Sequence, residues 1–188
     1  MLNSNSTTEE IISRVCTDLR EVQELIRVEN DLRDLWRDAI FPGLHLSPIL
    51  GDLLSIRQQS DEAGSISKKL EAFRLAAVLY ISYLREKFGI DTLSGMPLYA
   101  SKLRACIQLF QPEELSFDLL VWLLCVGYTS DVPEQNRWFG ERLQAILDVH
   151  NITNFDELKV LLIQLVWGED ILSTQSQYLR TLIESEGR

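Results

Sequence analysis

The chain has 188 residues, of which 46% are hydrophobic and 24% charged, enough to bury one core and to form one domain of ordinary size. A formal charge of -10 and a sequence pI near 4.7 argue against direct attachment to a nucleic acid, because that affinity comes largely from Lys and Arg displacing condensed counterions. There is no basic start followed by an apolar run, no apolar stretch near the roughly 20 residues that span a bilayer, and no regular spacing among Cys16, Cys106 and Cys125, so a reducing, intracellular setting is expected, with no membrane contact.

Apolar spacing predicts helices almost throughout. The first is expected over about 8–39: Ile12, Val15, Leu19, Val22 and Ile26 recur 3, 4, 3 and 4 apart and line one face. From Leu25 through Val28, Leu32, Leu35 and Ala39 the stripe shifts phase by one residue, as when a helix passes from one set of neighbours to another. The first stripe is a candidate interface for a protein partner or a second copy of the chain, with burial inside the monomer as the alternative. Phe41-Pro42-Gly43 is read as the break that ends this helix. Ser47-Pro48 is read as cap and first turn of a short helix over 49–59, and 60–65 as a polar loop.

The next helix is expected over 66–88, burying Leu70, Phe73, Ala77, Tyr80, Ile81 and Leu84, with Gly89 ending it at a positive φ. A loop holding Gly95 and Pro97 leads to a helix over 98–110, stopped at Gln111-Pro112. Pro112, Glu113 and Glu114 are expected to open a helix that is apolar nearly all round over 117–126, which marks it as the central helix. After a turn over 129–133, Pro133 starts a helix buried through Trp138, Leu143, Ile146, Leu147 and Phe139. Asn154 with Glu157 has the form of a capping box for another helix, and Gly168 separates that from a last one over 172–183. No segment alternates as a strand would, so the expected fold is all-α: one domain, 1–188, a bundle of about seven to eight helices around a central apolar helix near 114–129.

From 119 to 167 the sequence carries a further pattern: an apolar helix with an early Trp122 and a small Gly127, a polar turn, an Arg137-Trp138-Phe139 step with Leu143, and a short apolar helix ending in Trp167. Together with the preceding segment EAFRLAAVLYISYLR, this resembles the fungal-specific transcription factor domain, the regulatory region downstream of a DNA-binding binuclear zinc cluster, over roughly 66–175. The resemblance implies a helical, non-catalytic regulatory domain that acts through a partner or a small-molecule effector, and a nuclear location if the chain is part of such a factor. It departs from the full architecture in having three scattered cysteines where the cluster needs six thiolates at close spacing. The chain is then either a piece of a longer regulator or a stand-alone relative without the cluster.

Enzyme chemistry finds little footing. His45 and His150 belong to no metal-binding or Cys-His arrangement, and there is no GxSxG elbow or phosphate-cradling glycine loop. Asp31, Asp34 and Asp38 would place three acids on one helical face, as in a magnesium-dependent cyclase or lyase, but Arg27, Arg33 and Arg37 are interspersed at ion-pair spacing, so a solvated face is the expectation and no metal or cofactor is expected. Arg137 is expected to pair with Glu134 or Glu141. No base occurs between Arg104 and Arg137, while Glu113, Glu114, Asp118, Asp131 and Glu134 are acidic; this strip is read as a solvated rim. Trp122, Tyr128 and Trp167 are candidate walls of a ligand pocket, with core packing as the alternative. The competing reading for the whole chain is a stand-alone adaptor that joins another helical protein.

Overall fold

A computed structural model describes residues 7–63, 67–92, 95–111, 114–130 and 133–184. Among these there are eight α-helices, one short 3₁₀ turn and no strand: α1 (Thr8–Leu32), the 3₁₀ turn (Leu35–Arg37), α2 (Phe41–Ala63), α3 (Lys68–Lys87), α4 (Met96–Gln108), α5 (Phe117–Tyr128), α6 (Pro133–Val149), α7 (Phe155–Leu165) and α8 (Ser173–Glu184). None is long and apolar enough to cross a membrane.

Local chemistry sets the boundaries. Thr7 opens α1 with a capping box: its hydroxyl accepts from the Glu10 amide at 3.3 Å, and the Glu10 carboxylate accepts from the Thr7 amide at 2.8 Å. Asn154 accepts from the Glu157 amide at 2.9 Å, and the Glu157 carboxylate reaches Thr153 at 2.8 Å. α3 ends through Gly89 at φ 70°, with its amide on Glu86 O and the Ile90 amide on Arg85 O, a turn that an L side chain would strain.

Five boundaries differ from the sequence reading. α1 stops at Leu32 rather than near 39, because Arg33 is extended and Asp34 leads into the 3₁₀ turn. Phe41-Pro42-Gly43 starts α2 instead of breaking a helix: the Asp38 carboxylate accepts from the Ile40 and Phe41 amides at 2.8 and 3.2 Å, and Pro42 falls in the first turn, where a missing N–H does no harm. Pro48 therefore lies inside α2, and the Leu44 carbonyl it leaves unpaired belongs to a residue 64% exposed, within reach of solvent. The helix also runs to Ala63, through most of the expected 60–65 loop; 64–66 lie outside the described residues. Likewise α5 opens at Phe117 after Ser116, with Glu114 held in a preceding turn by the Gln111 amide, and Pro112 and Glu113 lie outside the described residues. Pro97 sits in the first turn of α4 rather than in a loop.

The centre is shared. α5 is buried at Leu119 and from Val121 to Gly127 without a break, and packs on α6, α7 and α3. α3 is at least as enclosed, lying among α1, α2, α4 and α5 with Phe73, Tyr80 and Tyr83 fully inside. Two of the polar groups brought in by α3 are satisfied there: the Tyr83 hydroxyl donates to Val126 O at 2.7 Å, and Arg74, 2% exposed, holds Glu71 through two bonds of 2.7 Å. Breaking that ion pair would leave a buried charge, so it fixes the face α3 turns inward.

Candidate functional site

The residues of the family-like pattern form one packing unit. Trp122, wholly buried, donates its indole N–H to Val166 O at 2.8 Å and stacks on Phe73 at 5.6 Å. Tyr80 stands 6.0 Å from both Trp122 and Trp167, and the Trp167 indole donates to Ser176 Oγ at 3.1 Å. Gly127 is required by contact: a Cβ there would lie 2.3 Å from the ring of Phe139, itself fully buried, so α5 and α6 meet through a glycine seat. Leu143 is buried beside it on α6. Trp138 lies edge-on to Phe139 at 5.0 Å, half-buried, with the Arg104 guanidinium 5.3 Å from its ring. Arg137 points to solvent and pairs with Glu141 at 2.8 Å, an exposed pair that contributes little.

The three aromatic residues weighed as pocket walls against core packing do not line one pocket, although Trp122 and Trp167 meet around Tyr80. Trp122 is enclosed in the core, and Tyr128 lies at the far end of α5 against Gly140. Trp167 borders a cleft. This cleft, about 640 Å³, opens between α1, α7 and α8 and is lined by Arg27, Lys159, Trp167, Glu169, Asp170 and Arg180, with Ser173, Ser176 and Gln177. The volume is in the range of small-molecule sites.

Its electrostatics come from crossing ion pairs. Arg27 of α1 grips Asp170 through bonds of 2.8 and 3.0 Å, Lys159 meets Glu169 at 2.5 Å, and Arg180 meets the same carboxylate at 3.2 Å. The hydrogen bond from Arg27 holds Asp170 below the usual carboxylate range, and that from Lys159 does the same to Glu169. Both acids are thus held ionised as acceptors already in use, and two of the three cations have a second acid at the edge of the cleft, Glu24 beside Arg27 and Glu184 at 3.7 Å from Arg180. Gly168 closes the inner wall: a Cβ there would come within 3.0 Å of Gln23 Nε2 and 3.3 Å of the Arg27 guanidinium. Gln23, itself buried, donates to the Tyr80 hydroxyl, so the cleft is tied directly to the aromatic centre. The arrangement offers hydrogen-bonding groups for a small polar molecule beside an indole.

Sequence reasoning missed Arg27, Lys159, Glu169, Asp170 and Arg180. The one signal on the page was the acid pair just after Gly168, before a helix with no acid in its first turn.

The remaining candidates resolve individually. Ile12, Val15, Leu19, Val22 and Ile26 are all buried against the rest of the chain, none more than 7% exposed, so in this packing they are core and do not present the interface considered for them. Asp34 and Asp38 are off the helix that was to align them with Asp31; Asp34 pairs with Arg37 at 3.1 Å and Asp38 with Arg33 at 2.6 Å. No group of three or more His, Cys, Asp or Glu at metal-holding distance occurs among the described residues. His45 and His150 lie against Phe41 and Phe117, with ring centroids 4.6 and 3.9 Å apart. Burial raises the Cys16 thiol to about 11 and raises Cys125 further, so both pack as apolar groups, while Cys106 is half-exposed.

No family model, no curated protein and no solved structure matches the chain.

Proposed function

We propose that this chain is a regulatory, non-catalytic helical domain that works by binding. In the specific form the resemblance implies, it is the control region of a fungal transcription factor, or a stand-alone relative without the zinc cluster. The observation that carries the reading is the continuity from cleft to centre: Trp167 walls the cleft, Gln23 and Tyr80 connect it inward, and Trp122, Gly127 and Phe139 lock α5 to α6 behind them. An effector seated among Arg27, Lys159 and Arg180 would favour the packing in which these helices close on it. A ligand shifts a conformational equilibrium by its difference in affinity for the two states. The ion pairs of the cleft suit this role better than turnover, since each acid is committed to a cation.

The test is a reporter assay with the chain fused to an unrelated DNA-binding module in a fungal cell. The reading predicts output that differs from the module alone and shifts when Arg27→Ala and Lys159→Ala are combined, two substitutions outside the core. A folded, nuclear fusion with the output of the bare module would sink the transcriptional form. An unchanged output in the double variant would remove the cleft from the mechanism.

A further inference from the structure

At about 100° per residue, α1 has three sides roughly 120° apart. One is the buried stripe from Ile12 to Ile26. A second reaches the α7–α8 junction: Arg20 donates to Gln164 O, Gln23 to Tyr80, and Arg27 to Asp170. The third carries Asp18, Glu21, Leu25, Val28 and Leu32, spaced 3, 4, 3 and 4 apart, and among the described residues its last two are left open: Val28 is 57% exposed and Leu32 77%.

Single exposed apolar residues are ordinary, but Val28 borders a trough that continues from Leu25, with Leu32 one turn further along the helix. Leu25 and Glu21 line both a cleft of about 360 Å³ shared with Leu44, Pro48 and Ile49 of α2 and a shelf running along α1 to Val28, bordered also by Thr17, Arg20 and Glu24. Leu44 on the facing wall is 64% exposed. Apolar side chains in heptad spacing beside a shallow trough are what a second helix packs into.

The rim decides which helix. Among the described residues Asp18 and Glu21 make no ion pair, and Asp52 across the groove meets Arg14 at 3.4 Å. Burial raises the Asp18 carboxyl above its ordinary range, with Arg14 acting against this and Glu21 and Asp52 adding to it. A second copy would bring the same acids, and another net -10, against them. We infer that the edge of α1 formed by Leu25, Val28 and Leu32, with the Leu44 and Pro48 wall of α2, is the docking groove for a basic amphipathic helix of another protein. Its apolar residues would seat in heptad register, and its Lys and Arg side chains would reach Asp18 and Glu21.

The probe is a fluorescein-labelled Leu/Lys helix about three heptads long, titrated with the full chain by fluorescence anisotropy, alongside a scrambled peptide of the same composition and a Leu/Glu counterpart. Saturable binding is expected for the heptad peptide alone, weakened about tenfold or more by Val28→Ser with Leu32→Ser and again by Glu21→Lys, while circular dichroism and light scattering show unchanged, folded monomers. Equal binding of the scrambled peptide would reduce the effect to net charge and overturn the groove. Absence of binding, or binding indifferent to the three substitutions, would overturn it too. A wild-type dimer that becomes monomeric with Val28→Ser and Leu32→Ser would give the groove to a second copy.

Discussion

The two apolar stripes of α1 obey the same spacing and meet opposite ends. Ile12 to Ile26 is sealed against the rest of the chain, whereas Leu25, Val28 and Leu32 stand at the rim of a groove with solvent beside them. Periodicity says that a helix has an apolar face and is silent on what covers it. The flanks carry that information. The buried stripe is followed around the helix by Arg20, Gln23 and Arg27, all engaged with distant backbone or side chains, while the bare stripe carries Asp18 and Glu21, which make no ion pair among the described residues.

The sharpest way to break this contrast is to truncate one residue on each stripe. Leu19→Ala, in a site with no exposure, should lower stability by about 2–5 kcal/mol, whereas Leu32→Ala should stay within about 0.5 kcal/mol; urea denaturation measures both, and equal losses would mean the second stripe is covered in solution. Carried to α5, where no side is bare, the contrast predicts that adding one methyl also destabilises. Gly127→Ala should cost about 1–3 kcal/mol, because the Phe139 ring it would strike has no free space to move into. A Tm unchanged by this substitution would show that α5 and α6 meet less closely than described.

The acids on two sides of α1 give a smaller effect with opposite signs. Asp170 has a folded pKa below its ordinary value, so its pairing with Arg27 contributes stability above the carboxylate range that is lost as pH falls through the folded value. Asp170→Asn should therefore lower stability at neutral pH by less than about 1 kcal/mol, the pair being partly exposed, and the difference from wild type should close below about pH 4. Asp18 has a raised folded pKa, so its ionised form opposes folding above that range. Asp18→Asn should raise Tm at neutral pH by less than Asp170→Asn lowers it, with the gain vanishing in acid; a fall in Tm would mean that Asp18 has a cationic partner in solution.

Most of the fold was legible because helix periodicity and caps are local. Gly89, the Asn154 and Glu157 pair, and the apolar run of α5 each act within a few residues of themselves. The first helix was drawn too long because Leu35 keeps the apolar phase although the chain has already turned, and it is buried from a 3₁₀ turn instead. Ser47-Pro48 imitates a helix start inside α2, since an internal proline next to solvent is tolerated where its freed carbonyl can be hydrated. α3 was under-read as a centre because Arg74 and Tyr83 look like surface residues until their partners are known. The cleft was not legible at all: Arg27 and Asp170 are 143 residues apart, and Lys159 and Arg180 converge on Glu169 from different helices. Nothing in a periodic pattern encodes such crossings.

The three thiols give the molecule a built-in clock for its own opening. Cys16 is shut inside α1's buried face and Cys125 inside α5, both with thiolates disfavoured by burial, while Cys106 is half-exposed. An alkylating reagent in excess will mark Cys106 in the folded chain and reach the other two only when their surroundings separate. Comparing the labelling rates of Cys16 and Cys125 therefore tells whether α1 lifts from the bundle before the centre yields or whether the two part together.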